Sequence, residues 1–544
     1  MSIRITFLGG LGEVGRNSAI LEVGGRLALI DCGLMFPEDD MLGVDLVLPD
    51  FSSVLERAAD LTCVVLTHGH EDHIGALSYL LRDVAVPVYG SPLTLELARS
   101  RIEEMAIEAD LRPVGYGSWI DEEPFRFQLL QVSHSVPHGA AVAFDTPQGI
   151  VLHSGDFKLD PTPVDGHPTD LPAFAELGRR GVRLLLADST NAERSGFVPS
   201  ETSLAQPLYE LIIESQRRVV VACFASHLHR VQQVVNAAVD AGRYVGFLGR
   251  SMVRNVDIGE RLGVLEVPDD RLLPLEELLA LDAKDTCIIS TGSQGEPFAA
   301  LSLMASGQHH WVTLEEGDTV VISATPIPGN EIKVSRVING LIRKGVTVHH
   351  GRNARVHVSG HGAQEELKTF LNIVRPQAFV PVHGEYRHLA AHAALAERMG
   401  VPNVVVCEDG DAVVCDGEST RRERNAAPAG YVYLDGDAVG DVARGVLRDR
   451  RHLADDGVVA VTVGVDGRSG EIVFGPDLDS HGLSDQPGDV LSSAGEAIVS
   501  RLGRMAVKGV DIAGFRNAVR EETVRVIRAR TSRRPVVFPI VVEL

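Results

Sequence analysis

Residues 68–73 read His-Gly-His-Glu-Asp-His, which places three imidazoles and two carboxylates within six positions. Imidazole nitrogen and carboxylate oxygen without a thiolate are donors suited to zinc or manganese. The preceding residues 63–67, CVVLT, are short, apolar and partly β-branched, which predicts a buried strand that delivers the ligands on a sharp loop, with a helix starting near Gly75. Polar groups packed this densely after a buried strand would be costly to desolvate without a cation. His68 and His70 alternate on extended backbone and face one way, while Asp72 and His73 can turn toward a neighbouring ion. One ion cannot use all four comfortably. Two further clusters supply more donors: His134 follows the strand predicted at 125–132, and Asp156 follows the one ending at Leu152. A carboxylate such as Asp156 can bridge two cations about 3.5–4 Å apart, the spacing that clamps both oxygens of a displacement at phosphorus. A histidine met alone at a strand end, as His134 would be, is more often a hydrogen-bonded structural residue. Asp31, after the strand predicted at 27–30, either orients a ligand or caps a loop.

These ligands need a scaffold that brings strand ends together. From Arg4 to about Asp188 short apolar strands are predicted at 5–8, 18–23, 27–30, 64–66, 125–132, 140–144, 150–153 and 182–187, with helices after His73 and around 95–108. That pattern fits a layered sandwich of mixed α/β and α+β character with loops at one edge. From about 203 to 348 the rhythm becomes strand, helix, strand (218–223, 227–240, 244–248, then strands at 286–290 and 319–323), which predicts a parallel sheet with helical crossovers. Residues 352–416 return to the first style, so the middle block reads as an insertion. The expected division is 1–200, 201–350, 351–418, a charged and breaker-rich linker at 419–456, and a small α+β domain at 457–544.

At 544 residues the chain exceeds one core. Its six cysteines lack paired short spacing, which predicts buried free thiols in a reducing compartment. No run of about 18 apolar residues occurs and the start lacks a basic, then apolar, leader, so the expectation is a cytoplasmic protein with no membrane association. A formal net charge of −23 disfavours a protein that coats nucleic acid, but leaves room for an enzyme whose positive potential is local.

Taken in order, LGGLGEVGRN at 8–17, DCGLMFPE at 31–38, the hexapeptide, GDFKLD at 155–160, ADSTNAE at 187–193, HVSGHG at 357–362 and PVHGEY at 381–386 make the chain resemble the ribonuclease J family, in the β-CASP branch of the metallo-β-lactamase superfamily, nearly end to end. The resemblance implies a metallo-β-lactamase αββα sandwich carrying an inserted β-CASP parallel-sheet domain. It implies two divalent cations, zinc first with manganese or magnesium as alternatives: His68, His70 and His134 at one, Asp72, His73 and His383 at the other, Asp156 between. It counts Asp72, Asp188 and His361 as catalytic, His361 as general acid or electrostatic partner of the leaving oxygen. It makes the turn His357, Val358, Ser359, Gly360 and His361 a substrate-phosphate site in which Gly360 and Gly362 let backbone N–H groups approach an anion. Ser226 and His227, between a predicted strand and helix, would bind a terminal phosphate. A simple helix cap is the plainer reading of Ser226. His138, four residues after His134, stands where the family more often has an acidic residue, so this loop offers a second imidazole. A calcium site between the loop after Met41 and the 434–437 segment is a further expectation.

The implied activity is hydrolysis of single-stranded RNA, preferably 5′-monophosphorylated, from the 5′ end with internal cleavage as a second mode, in RNA maturation and decay. Two rivals are the same centre acting on DNA or on a small ester, thioester or lactam, and a non-catalytic RNA-binding subunit of a nuclease complex. The β-CASP block with His361 favours nucleic acid, and the intact ligand set favours catalysis. Homodimers or homotetramers through the terminal domain, and contacts with other RNA-decay proteins, are the implied partners. Arg516, Arg520, Arg525, Arg528, Arg530, Arg533 and Arg534 read as a solvated face, an RNA contact or a subunit interface.

Overall fold

The computed structural model describes residues 2–544 apart from 297–298, 328, 418, 437, 441, 443, 485–486 and 507–510. Two sheets form the sandwich. One has eight strands in the order Ser419–Glu423, Ala412–Asp416, Ile3–Gly9, Ser18–Val23, Arg26–Ile30, Leu61–Val65, Val88–Gly90, Leu111–Pro113. The other has seven: Asn403–Val404, Ala378–Val382, Val182–Asp188, Gly149–His153, Ala140–Thr146, Phe125–Gln131, Ile120–Glu122. Alternate residues of both sheets meet in one core, with Ile3, Ile5 and Phe7 from the first and Phe127, Phe144, Leu184 and Val380 from the second. The opposite face of the seven-stranded sheet is covered by Leu171–Arg180 and Gln364–Val374 through Phe174, Leu177, Phe370 and Leu371. Asp170 starts the first of these helices by accepting the Ala173 N–H at 3.0 Å.

Strand Val182–Asp188 pairs in parallel with Ala378–Val382, Asp188 opposite Val382, although residues 189–377 lie between them in the chain. Within that excursion sits a five-stranded, wholly parallel sheet: Tyr244–Leu248, Thr286–Ser290, Val219–Ala222, Thr319–Ile322, Thr347–His350. The central Val219–Ala222 strand is buried on both faces, Val219 and Val221 into one core and Val220 and Ala222 into the other. That explains the unbroken apolar run where a half-exposed strand would alternate.

The helix expected near Gly75 is present as Leu77–Leu81, with Ala76 at its N-cap, and it is preceded by a short helical turn within the HGHEDH motif itself, Glu71–Ile74, with His70 in the N-cap position. Glu71 and Asp72 occupy its first turn, where carboxylates are favoured by the exposed N–H groups. The segment read as a linker also carries regular structure, since Ser419–Glu423 is the edge strand of the eight-stranded sheet and Arg444–Asp456 is helical.

Residues 1–36 and 46–432 form one compact unit and residues 37–45 and 433–544 another. In the second, Val458–Val465 lies between Ile472–His481 and Val536–Glu543, and helices Gly488–Ala506 and Ile512–Thr531 cover one face through Ile498, Leu502, Phe515 and Ile527. The other face exposes Phe538, Ile540 and Val542. All seven arginines at 516–534 named above are exposed; Arg525 pairs with Glu522 and Arg533 donates to the carbonyls of Gly482 and Leu483. All six cysteines are buried and free. Among the described residues no helix is long and apolar enough to cross a membrane.

Candidate metal centre

The polar residues singled out in the sandwich lie on the loops after its strands. His68 follows Leu61–Val65, His134 follows Phe125–Gln131, Asp156 follows Gly149–His153, Asp188 ends Val182–Asp188, and His383 follows Ala378–Val382. These residues converge. His68 Nε2 lies 3.0 Å from His70 Nδ1, and His134 Nε2 lies 3.2 Å from that same atom. Asp156 Oδ2 is 3.6 Å from His68 Nε2, 3.8 Å from His134 Nε2, 3.4 Å from His73 Nε2 and 3.7 Å from His383 Nε2. Asp72 Oδ2 is 3.2 Å from His383 Nε2 and 3.7 Å from His73 Nε2. Donors bound tetrahedrally at about 2.0–2.2 Å stand roughly 3.3–3.6 Å apart, so these spacings fit two ion sites that share Asp156. The distance of 227 positions in chain between Asp156 and His383 is closed by the parallel pairing around the inserted sheet.

The far sides of the rings explain the direction of their lone pairs. His134 Nδ1–H donates to the Gly360 carbonyl at 2.9 Å, and His73 Nδ1–H to Asp31 Oδ2 at 2.7 Å. The Thr190 hydroxyl donates to Asp188 Oδ1 at 2.8 Å and so accepts from His383 Nδ1–H at 2.6 Å. The Thr67 hydroxyl does the same between Asp31 Oδ2 at 2.8 Å and His68 Nδ1 at 3.1 Å. Each arrangement engages Nδ1 and turns Nε2 toward the centre, the nitrogen that metal ligation would use. Of its two readings Asp31 follows the first: it orients a ring.

Burial pushes His68 and His134 well below the ordinary histidine range and His70 down to about 4, with neighbouring imidazoles adding to the effect. These rings are therefore neutral at pH 7, the form that binds a cation. Burial opposes charge on Asp156 and Asp188, but the former faces His383 and His73 and the latter His361, and both stay ionised far below the usual carboxylate range. His361 Nδ1 donates to Asp188 Oδ2 at 2.8 Å, and despite its burial that carboxylate raises its pKa. His383 and Asp31 both adopt left-handed backbone, φ 57° and 59°. Two non-glycine residues held there around one centre mark a geometry imposed by the surrounding structure.

The two glycine-rich motifs near the N-terminus hold the ligand turn by its backbone. Asn17 N–H donates to the Asp72 carbonyl at 2.9 Å, Cys32 N–H to His73 at 2.7 Å and Leu34 N–H to Glu71 at 3.0 Å. Gly33 must lack a side chain, because a Cβ there would lie 1.6 Å from the Asp72 carbonyl oxygen. Gly33→Ala is expected to destabilise the fold by about 3 kcal/mol, the upper range for overpacking. Thermal unfolding with metal analysis checks this, and a variant with unchanged midpoint and metal content would refute it.

The substrate turn is arranged differently from the expectation in two respects. Val358 is buried in the core of the inserted sheet, so only its backbone can face a ligand. Gly362 N–H is already donated to the Phe157 carbonyl at 2.7 Å, which removes it as an anion donor. Gly360 instead gives room: a Cβ there would meet the His134 ring at 2.9 Å. Ser359 Oγ accepts from Asn191 Nδ2 at 2.9 Å, and Asn191 also donates to the His361 carbonyl at 2.7 Å. His357 is mostly buried and pushed down to about 3 by that burial and by Arg230. Ser226 is half-buried and makes no side-chain cap, so the plainer reading as a helix cap does not hold; the helix begins at Leu228 with buried His227 at its N-cap position. His138 stays outside the ligand cluster and borders a cavity of about 180 Å³ with Asp165, His167 and His229. In the 434–437 segment Asp437 lies outside the described residues, while Arg450 already holds Asp435 and the Leu42 carbonyl.

Thr67, Thr190, Asn17 and Asn191 were not anticipated from sequence. Asn17, Thr190 and Asn191 were signalled only by membership of the ordered motifs and Thr67 only by its place just before the hexapeptide, since threonine and asparagine by themselves say nothing of the ring they will hold.

A two-sheet sandwich with strand-end histidines and aspartates around a shared carboxylate, and a parallel sheet inserted before its last ligand, defines a metal-dependent hydrolase of the metallo-β-lactamase superfamily. Family models agree segment by segment: "Metallo-beta-lactamase superfamily" over residues 11–195, "Ribonuclease J, beta-CASP domain" over 216–341, "Zn-dependent metallo-hydrolase RNA specificity domain" over 346–406 and "Ribonuclease J C-terminal domain" over 445–544. The chain belongs to the ribonuclease J family. It is 42% identical to ribonuclease J of Mycobacterium tuberculosis, covering 100% of this chain and 97% of that one. It is 37% identical to ribonuclease J2 of Bacillus subtilis (100% and 99%) and 39% identical to ribonuclease J of Thermus thermophilus (99% and 95%). A crystal structure of a protein of unknown function from Enterococcus faecalis shares the fold at TM-score 0.56 and 17% identity, covering 76% of this chain and all of that one.

Proposed function

We propose that the protein hydrolyses phosphodiesters of single-stranded RNA from a 5′-monophosphorylated end, with internal cleavage as a second mode, in the cytoplasm. The observation that carries this is the convergence of seven donor side chains around the Asp156 carboxylate, next to the Asp188–His361 pair. His68, His70 and His134 would hold one divalent cation and Asp72, His73 and His383 the other, with Asp156 shared. Zinc suits these donors first, manganese or magnesium next; when bound, the ions supply Lewis acidity and a water nucleophile at neutral pH. His361, its Nδ1 committed to Asp188, keeps Nε2 to protonate the departing 3′ oxygen. Asn191 and His134 fix the turn that precedes it, and Ser226, His227 and residues 357–361 would seat the terminal phosphate. Hydrolysis of the P–O3′ bond leaves a new 5′-monophosphate on the shortened RNA, so the product can re-enter the same seat.

One RNA bearing either a 5′-monophosphate or a 5′-triphosphate, labelled and resolved at single nucleotides, tests the proposal. Stepwise products from the 5′ end are expected with the monophosphate and at least about tenfold slower turnover with the triphosphate. Equal rates on both, or faster cleavage of single-stranded DNA, would refute the assigned substrate.

The open sheet face bearing Phe538, Ile540 and Val542, 55%, 48% and 43% exposed, favours self-association through the second unit, as a homodimer or homotetramer. A chain ending at Asp456 is expected to elute as a monomer on gel filtration. An unchanged oligomer would move the interface elsewhere.

A further inference from the structure

We propose that Arg230, held by Glu201, is a positioning residue that sets the distance between the terminal-phosphate seat and the metal centre, and thereby the length of each product. This rests on the phosphate seat proposed above. Arg230 lies on the helix Leu228–Asp240 and is fully buried. Its Nε donates to Glu201 Oε1 at 2.7 Å, and its Nη1 to the Ser323 carbonyl, the Ser323 hydroxyl oxygen and the Val356 carbonyl. Ser323 Oγ donates to the same Val356 carbonyl at 2.6 Å. Val356 immediately precedes the turn His357–His361, so two donors from the inserted sheet anchor the turn at its entry. Its exit is tied to the sandwich by Gly362 N–H on Phe157 and by His134 Nδ1–H on the Gly360 carbonyl.

The same network continues to the loop that carries Asp156. Glu201 N–H donates to Asp160 Oδ2 at 2.9 Å, and Asp160 pairs with Lys158 at 3.1 Å; both side chains are buried. Lys158 and Asp160 follow Asp156 by two and four residues. Two buried ion pairs, Lys158 with Asp160 and Arg230 with Glu201, joined by the Glu201 backbone N–H on Asp160, therefore link the loop that carries Asp156 to the turn of the phosphate seat. Buried ion pairs contribute little net stability, because desolvation offsets their attraction, and a retained one is better accounted for by the geometry it enforces. The planar guanidinium reaches four acceptors on three chain segments at once, which a lysine ammonium on its flexible stem cannot reproduce. Gln233, one turn along the helix, supports the arrangement by donating to Glu201 Oε1 at 2.9 Å.

The experiment compares the full-length wild type with Arg230→Lys and Ser323→Ala on one 5′-monophosphorylated RNA, reading product lengths, KM and kcat separately, and bound metal. Ser323→Ala removes one oxygen and no charge, so it reads the same anchor where Arg230→Lys fails to fold. The expected result is a mixture of product lengths in place of one, with kcat/KM lowered about 10- to 100-fold, mostly through KM, at unchanged metal content. A general loss of folding would lower metal content and kcat together without altering product length, and that outcome would overturn the proposal. Retention of a single product length and of KM within about twofold in either folded variant would overturn it too. A wild type indifferent to the 5′-phosphate would instead remove the phosphate seat itself.

Discussion

Replacing His68 and His70 together by alanine is expected to lower turnover on 5′-monophosphorylated RNA by at least ~10⁴-fold, the scale of loss when members of a catalytic unit are removed. The reason is geometric. His70 Nδ1 lies within hydrogen-bonding distance of both His68 Nε2 and His134 Nε2, so the three rings converge nitrogen to nitrogen. Once two are deleted, His134 and Asp156 alone remain on that side, and a two-donor site does not retain a divalent cation at micromolar concentration. Metal analysis of the purified variant should show at most one ion per chain where the wild type carries two. The fold should persist, because both side chains stand on loop tips and the hydrogen bonds that hold the Glu71–Ile74 turn come from Asn17, Cys32 and Leu34 backbone. A double variant that keeps two ions and wild-type turnover would end the assignment of this cluster as the catalytic centre.

His361→Ala should show the second largest effect, a fall in kcat of about 10²- to 10⁴-fold, the usual range for loss of a general acid, with both ions retained. His361 is not one of the seven donors assigned to the two sites, and its Nδ1 is engaged by Asp188, so its removal leaves those seven in place. The assignment makes a sharper demand than inactivity. A phosphodiester with a p-nitrophenolate leaving group departs without a proton, and on it the variant should lose far less than on RNA. Equal losses on the two substrates would assign His361 to binding or electrostatics instead of proton transfer. Asp188→Asn should follow the same pattern to a smaller degree, because the ring would lose the carboxylate charge that raises its pKa while an amide oxygen still accepts from Nδ1–H.

The chain alone determined the chemistry and most of the strands. Candidate metal ligands are legible because burying imidazole and carboxylate is so costly that a cluster of them beside an apolar strand points to a cation, and the HGHEDH run concentrates that signal in six residues. Strands such as Val182–Asp188 and Val219–Ala222 are legible because their apolar runs are local. The order of the motifs also indicated that His383 returns from beyond an inserted block, although this came from resemblance and not from spacing. Tertiary structure decided the rest. Thr67, Thr190, Asn17 and Asn191 are ordinary polar residues, and the rings and turns three of them serve lie up to 193 positions away in chain, a separation that no local pattern encodes. Whether a residue of the substrate turn faces inward, as Val358 does, or has an N–H still free, as Gly362 has not, depends on register against the neighbouring sheet. The line from Lys158 to Arg230 is invisible in sequence for the same reason: each charge reads as a surface residue until packing removes the water around it and supplies an opposite charge and backbone groups as partners.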